Sequence, residues 1–352
     1  MENTIIPAKI EDISVQWLEK TLNNNHGNII SLTYETVEGG YTGLNYRLFL
    51  TYKEGVVNTV FVKFPIGNSY NTKSSDNKEH FLAVARKEIR FYQEIASECQ
   101  IPIPKCLFSA FDNENSLLIL EDLGKNVLPY SRQDMNESHI IQIADSMATF
   151  HKKFWQNPRL ESLDWINKLF DKKKENYEKI RSFEKASQIF INRFRSNLSN
   201  EQICIILNIV SKYPRLVSVL ESPPETLIHG DWTSSNLILR ESDDKVYIVD
   251  WAGLYKGSYL WDMMKFLEFE LNEKILYNFI KSYSKRLNDG GVLVEFDDLC
   301  RNFYIAQAWY ICGTIEFIAG IKEEYLHDPG TEWMWKFVEN EELFKHLSKM
   351  PL

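Results

Sequence analysis

The sequence lacks paired cysteines. Its five, Cys99, Cys106, Cys204, Cys300 and Cys312, include no C-x-x-C and are odd in number. That argues against a disulfide framework or a zinc site and predicts a reducing, cytoplasmic setting. Also lacking is an excess of basic charge. With 40 Lys and Arg against 49 Asp and Glu, the net charge is −9, so no broad field invites nucleic acid or an anionic membrane surface. No apolar run reads as long enough to cross a bilayer. Residues 1–14 mix Glu2, Lys9, Glu11 and Asp12 among short apolar runs, which is not the layout of a signal peptide. Neither an internal repeat nor a low-complexity tract is found. The expected partner is a small soluble ligand, and the chain is expected to be a monomer or a weak homodimer. What the sequence does have is 44% hydrophobic residues over 352 positions, enough for two or three packed units.

Residues Leu32 to Phe64 read as strands joined by turns, with Tyr46–Leu50 and Thr59–Phe64 as the clearest strand runs. From His80 to Glu98 the apolar residues Phe81, Ala85, Ile89, Tyr92 and Ala96 recur at helical spacing, so one helix should pack on an antiparallel sheet. Ser116 to Leu120 gives a further strand running into Glu121-Asp122-Leu123-Gly124. Beyond it the pattern turns helical, over His139–Trp155, Asp164–Leu198, Glu201–Val219, Met263–Leu287, Asp297–Ile321 and Glu332–Met350. The expected class is therefore α+β in two lobes: an N-terminal antiparallel sheet with one main helix over residues 1–123, and a larger, mostly helical lobe over 124–352.

One segment carries chemistry. Leu227-Ile-His-Gly-Asp231-Trp-Thr-Ser-Ser-Asn236 leads into Leu237–Arg240, a polar turn and Val246–Asp250. The two short apolar runs predict a hairpin, and if Arg240 opposes Val246, Asn236 opposes Asp250 at its open end. A carboxylate beside an amide oxygen suits a hard cation that keeps some of its waters, as magnesium does next to phosphates. Asp231 lies just upstream, placed to act on a substrate near that ion.

These residues resemble the aminoglycoside phosphotransferase and choline kinase family, the small-molecule branch of the protein-kinase-like fold. His229-Gly230-Asp231 with Asn236 matches its H-G-D-x-x-x-x-N catalytic loop, and Ile248-Val249-Asp250-Trp251 its metal-binding aspartate segment. The resemblance implies transfer of the γ-phosphoryl group of ATP or GTP, with Mg2+, onto a hydroxyl of a small molecule. Asp231 is then the base or orienting carboxylate, and Asn236 and Asp250 hold the metal. It also implies a glycine-rich turn cradling phosphates, supplied by Gly40, Tyr41, Thr42, Gly43 and Asn45. Lys63 on the third strand and Glu88 on the helix form the pair that positions the α- and β-phosphates. The main chain of Glu121, Asp122 and Leu123 meets the base. Glu88 shares the apolar side of its helix with Ala85 and Tyr92, where a carboxylate wants a cation. Asp262 is read as a structural residue capping the following helix, and His151 and His229 as hydrogen-bonded structural histidines.

One departure from the wider kinase pattern is informative. Trp251-Ala252-Gly253 follows the metal aspartate and Asp262 comes soon after, leaving no room for an activation loop and disfavouring a protein acceptor. The acidic balance, with Glu316 in an apolar helix followed by Glu323, Glu324, Asp328, Glu332, Glu339, Glu341 and Glu342, points to an amine-bearing acceptor of the aminoglycoside kind. Tyr304, Trp309, Tyr310, Trp333 and Trp335 would supply stacking surfaces. Such an activity would make the chain an antibiotic-resistance enzyme. The alternatives are a kinase of another metabolite, such as a choline-like alcohol, macrolide, homoserine or thio-sugar, and a catalytically silent binding protein on the same fold.

Overall fold

The computed structural model describes residues 5–22, 28–38, 43–65, 75–129, 131–169, 175–221, 224–326 and 331–349. The helices are α1 (Val15–Leu22), α2 (Ser75–Glu94), α3 (Glu137–Phe154), the single turn α4 (Arg159–Ser162), α5 (Glu175–Arg193), α6 (Asn200–Glu221), α7 (Leu260–Leu267), α8 (Glu273–Asp289), α9 (Phe296–Gly320), α10 (Glu332–Val338) and α11 (Glu341–Lys349). The strands are β1 (Ile29–Val37), β2 (Gly43–Tyr52), β3 (Val57–Pro65), β4 (Cys106–Phe111), β5 (Ser116–Glu121), β6 (Glu225–Ile228), β7 (Leu237–Arg240), β8 (Lys245–Ile248) and β9 (Tyr255–Ser258). The chain divides into two compact units: Met1–Leu128 with Ser234–Leu254, and Pro129–Thr233 with Tyr255–Leu352.

In the first unit five antiparallel strands lie in the order β1-β2-β3-β5-β4. The period of two along β3 divides its side chains between two environments. Val60, Val62 and Phe64 join Leu48, Leu50, Leu117 and Ile119 in a core covered by Ile10, Ile13 and Leu18, while Lys63 stands on the opposite face, opposed by Asn45 on β2 and Leu118 on β5. The hairpin β7-β8 belongs to this unit because the chain just past β5 and the segment before β4 both bond to it: Leu128 N–H donates to Leu237 O (3.0 Å), Leu239 N–H to Asn126 O (2.9 Å) and Ile248 N–H to Pro102 O (3.0 Å). A boundary drawn from the sequence at Gly124 leaves that hairpin with the helical part, since pairing so distant along the chain has no local signature. For the same reason neither β4 nor α1 stands out in the pattern.

Helices dominate the second unit. Phe183, Phe190 and Phe194 from α5 and its end, Ile206, Ile209 and Tyr213 from α6, Ile311, Cys312 and Ile315 from α9, and Phe337 and Phe344 from the C-terminal helices share one core. Their spacing is that of amphipathic helices laid side by side. By length and composition alone α6, 22 residues long, is apolar enough to cross a bilayer, with mean hydropathy 1.6 over its most apolar 18 residues. In this structure it buries Ile205, Ile206, Ile209, Leu216 and Leu220 in the unit's interior. Helices α3 and α8 are cross-linked by Ser282 to Asp145 (2.6 Å) and by Arg286 to Thr149 (2.9 Å).

Two predicted helices are divided. Met263–Leu287 breaks where Glu268 adopts φ 45°, and Asn272 restarts the helix by accepting from Lys274 N–H and Ile275 N–H, a capping arrangement that ends one helix and begins the next. Glu332–Met350 breaks at Asn340, whose side chain accepts from Leu343 N–H. Of the expected helix Asp164–Leu198, residues 164–169 are not helical: Lys168 bridges to Lys256 and Leu169 N–H donates to Lys256 O at 2.9 Å.

Arg47 on β2 holds the end of β5. It is 4% exposed, and its Nε and Nη2 donate to both carboxylate oxygens of Asp122 at 2.5 and 3.0 Å, Nη2 also to Gly124 O at 2.9 Å and Nη1 to Glu35 at 2.9 Å. Burial pushes the Asp122 carboxyl up, but the Arg47 guanidinium, Gly124 N–H and Thr59 hydroxyl more than offset it, and the net shift is downward from 3.8. A depressed carboxyl contributes stability that is present above its unfolded value and lost as pH falls through its folded value. Asp122→Asn is therefore expected to cost about 3 kcal/mol in denaturant unfolding at pH 7, the scale for breaking a buried ion pair. The gap to the unaltered protein should narrow as the titration is carried below 3.8.

Candidate active site

The first unit supplies a buried charge cluster. Lys63 Nζ lies 2.8 Å from Glu88 and 3.1 Å from Asp250 Oδ1, and the Lys63 and Glu88 side chains are only 16% and 6% exposed. Glu88 reaches Lys63 because it sits on the face of α2 that carries Ile89, Phe91 and Tyr92 into the interior. Burial pulls the Lys63 ammonium down, but the carboxylates of Asp250 and Glu88 outweigh it and hold it above the ordinary lysine value. Burial raises Glu88, and the neighbouring Lys63 only partly reverses that. The ammonium thus stays charged between two carboxylate groups.

Asp250 arrives there by an unusual backbone. The hairpin pairs Arg240 with Lys245 and Leu237 with Ile248, one residue away from the register read in the sequence, so Asn236 faces Val249 and not Asp250. The cause is a four-residue turn in which Asp244 takes φ 52° and Arg240 grips Asp243 at 2.6 and 3.0 Å. A one-residue slip turns a strand residue to the other face, and Asp250 leaves the strand in the left-handed conformation, φ 65° and ψ 62°. Trp251 behind it is fully buried, stacked on Phe91 of α2 at 4.1 Å, and donates to Ile248 O. Asn236 is held beside it, its carbonyl accepting from Val249 N–H at 3.0 Å.

Among the described residues no group of three His, Cys, Asp or Glu could hold a metal. One carboxylate and one amide oxygen at the mouth of a hairpin are instead a donor set for magnesium, which retains waters and shares phosphate oxygens, and Asn236 and Asp250 fit that ion. Of the glycine-rich turn, Gly40, Tyr41 and Thr42 lie outside the described residues. Gly43 leaves little room for a side chain, since a Cβ would lie 3.0 Å from Phe64 O. Asn45 Oδ1 is buried without a hydrogen bond on the strand position opposite Lys63. Glu121 and Asp122 have their carboxylates engaged by Arg240 and Arg47, so any contact there with a base falls to the main chain.

The second unit carries Asp231 on a loop fastened by α7. Asp262, fully buried, accepts from His229 N–H at 2.7 Å and Gly230 N–H at 2.8 Å and lies 3.1 Å from His151 Nε2. Burial, with the charges of Tyr259 and Asp262, pushes the Tyr283 phenol well up. Its hydroxyl lies 2.8 Å from His151 Nδ1, and because a carboxylate only accepts, the contact with Asp262 calls for a proton on His151 Nε2. Asp262 is not the expected cap of α7: Tyr259 occupies that position and makes no side-chain cap. Gly230 takes φ +83°, Trp261 Nε1–H donates to Gly230 O at 2.8 Å, and Asp231 N–H donates to His229 Nδ1 at 3.3 Å. Lys265 Nζ lies 3.5 Å from Asp231 Oδ1.

Sequence reasoning missed Arg47, Trp261 and Lys265. Lys265 lies one helical turn from both Trp261 and Asp262, which is the one signal the sequence offers for it. Of the aromatics named for stacking, Tyr304, Trp309 and Trp335 pack against one core cluster of the second unit. Trp309 packs on Trp261 at 5.7 Å, Tyr310 on Phe269, Trp335 on Phe194, Trp333 on Phe317 and Tyr304 on His346. Glu316 stands near Tyr213 and Cys312, where burial first and its charge second push both groups up. Glu324, Glu341 and Glu342 form exposed pairs with Lys322 and Lys345. Asp328 lies outside the described residues.

A five-stranded antiparallel sheet with a lysine and a helix glutamate paired on one face, beside a mostly helical second unit, is the architecture of the protein-kinase-like fold. A model of the ecdysteroid kinase-like family matches residues 39–293, and the chain belongs to that family of small-molecule kinases. No curated protein sequence matches it. Solved structures share the fold at low identity. An aminoglycoside 2'-phosphotransferase-IIIa in complex with GDP is 14% identical, covers 94% of this chain and 95% of its own, and superposes with TM-score 0.58. An aminoglycoside phosphotransferase from Alicyclobacillus acidocaldarius is 11% identical over 91% and 92% at TM-score 0.55. Macrolide 2'-phosphotransferase MphH from Brachybacterium faecium is 11% identical over 88% and 92% at TM-score 0.51.

The geometry makes Asp262 the fastening of the His229–Asp231 loop. Asp262→Ala strands two backbone N–H groups and His151, so it should cost about 3 kcal/mol or more. Thermal and urea unfolding of the purified variant read this directly.

Proposed function

We propose that the chain transfers the γ-phosphoryl group of ATP or GTP, with magnesium, onto a hydroxyl of a small molecule. The observation that carries this reading is Lys63 held 2.8 Å from Glu88 and 3.1 Å from Asp250, an ammonium kept charged and aimed beside a metal-binding carboxylate. In this reading Lys63 binds the α- and β-phosphates, and Glu88 fixes its direction. Asn236 and Asp250 hold the magnesium, which when bound neutralises charge developing on the phosphates. The acceptor hydroxyl oxygen attacks the γ-phosphorus, the bond from that phosphorus to the β–γ bridging oxygen breaks, and the nucleoside diphosphate leaves. The hydroxyl proton passes to the Asp231 carboxylate, which also orients the attacking oxygen. The setting is a reducing cytoplasm, in keeping with five free cysteines.

For the acceptor, net charge −9 and the names of the structural neighbours favour an amine-bearing, polyhydroxylated molecule of the aminoglycoside kind. A second reading is favoured by a specific observation. Next to the Asp231 loop stand an ammonium, Lys265, and the tilted Trp261–Trp309 ring pair, whereas Glu316 lies by Tyr213 and Cys312. Aromatic surface with a cation suits a neutral, hydroxylated ring system, and the family's description makes an ecdysteroid the natural trial compound.

Diphosphate release from magnesium ATP and magnesium GTP, measured over aminoglycosides, ecdysteroids, macrolides and choline-like alcohols, separates these readings. Turnover of none of them would overturn the functional reading. Asp231→Asn is expected to lower kcat about a hundredfold, the worth of a positioned base, while calorimetric nucleotide affinity stays close to normal. Lys63→Ala and Glu88→Ala should each weaken nucleotide binding, and the double variant should be little worse than either one, because the two act as one unit.

A further inference from the structure

Helix α7 addresses three successive residues of the catalytic loop with three of its own side chains. Asp262 takes the N–H groups of His229 and Gly230 at 2.7 and 2.8 Å, and Trp261 donates to the Gly230 carbonyl at 2.8 Å. One turn further on, Lys265 meets the carboxylate of Asp231 at 3.5 Å. Positions 261 and 265 are four apart and 262 and 265 three apart, so all three share one flank of the helix. The first two contacts fix loop backbone. Lys265 meets a side chain, the carboxylate that receives the acceptor proton in the function proposed above. Its side chain is 24% exposed and that of Asp231 48% exposed, so the pair has little weight in folding: ion pairs of this exposure contribute about 0–1 kcal/mol. A contact with little stabilising value, delivered in register with the two that build the loop, is a contact with another use.

We infer that Lys265 is a positioning residue for the phosphoryl transfer proposed above. It holds the Asp231 carboxylate in the direction from which that group orients the acceptor hydroxyl, and it acts through Asp231 without binding the nucleotide. A misplaced catalytic group loses effective concentration steeply, so removing the ammonium should show in turnover and not in stability.

The test uses the full chain with magnesium ATP and the best acceptor of the panel, comparing Lys265→Met and Lys265→Arg in the unaltered and the Asp231→Asn backgrounds. Lys265→Met should lower kcat about tenfold or more, with the KM for ATP and the thermal midpoint unchanged, and Lys265→Arg should recover most of that loss. In the Asp231→Asn background Lys265→Met should add nothing, because the group it positions is already gone. The inference is overturned by unaltered turnover, by losses that multiply in the Asp231→Asn background, by a raised KM for ATP with kcat preserved, or by a fallen thermal midpoint that accounts for the loss. A chain that releases no diphosphate before any substitution takes the functional reading down together with this one. An active chain beside an equally active Lys265→Met retires this inference alone.

Discussion

An ammonium set on the inner face of a sheet must be met by charge or be forced to give up its proton, because removing it from water costs several kcal/mol. Lys63 is met twice, by Glu88 and Asp250, and much of the first unit's layout follows from that requirement. Helix α2 must present a carboxylate from its apolar face, which it can do only with Ile89, Phe91 and Tyr92 buried around it. The segment after β8 must bring Asp250 to the same place, and the stacking of Trp251 on Phe91 secures it. Three parts of the chain far apart in sequence are thereby held together by one cation.

The second unit solves a related problem with an anion. Asp262 has no exposure and is satisfied by two backbone N–H groups and an imidazole, with Tyr283 completing the line. Fully bonded, such a network is rigid, and a buried carboxylate that lost these partners would be costly. The rigidity is transmitted to Gly230, whose left-handed backbone sets the direction of the residue after it. The loop's geometry is thus determined less by its own residues than by α7 and α3.

What was legible in the sequence was what local pattern or local spacing encodes. Strands β2, β3 and β5, helix α2 and the inward side of Glu88 followed from periodicity. The hairpin that carries Asn236 and Asp250 at its ends followed from the two short apolar runs and the polar turn between them. Illegible were features that depend on distant partners. Arg47 looks like any strand arginine until Asp122 and Gly124 are brought to it. The hairpin register depended on a turn whose fourth residue, Asp244, is left-handed, which hydrophobic pattern does not report. The C-terminal glutamates and aromatics read as a cluster along the chain, yet helices display successive residues on different faces, and the ring contacts run to separate neighbours.

The left-handed backbone at Asp250 narrows what this position can become. Few residues other than glycine adopt that conformation readily, asparagine and aspartate chief among them because their short side chains can bond locally. Glycine would relax the backbone but bring no oxygen, and asparagine would keep an oxygen without the charge that faces Lys63. A glutamate, the usual conservative exchange, would keep the charge but meet the turn with a longer side chain that the left-handed region disfavours. Backbone geometry and charge therefore select the same residue independently. Drift at this site should be slower than its exposure, 37% for the side chain, would suggest.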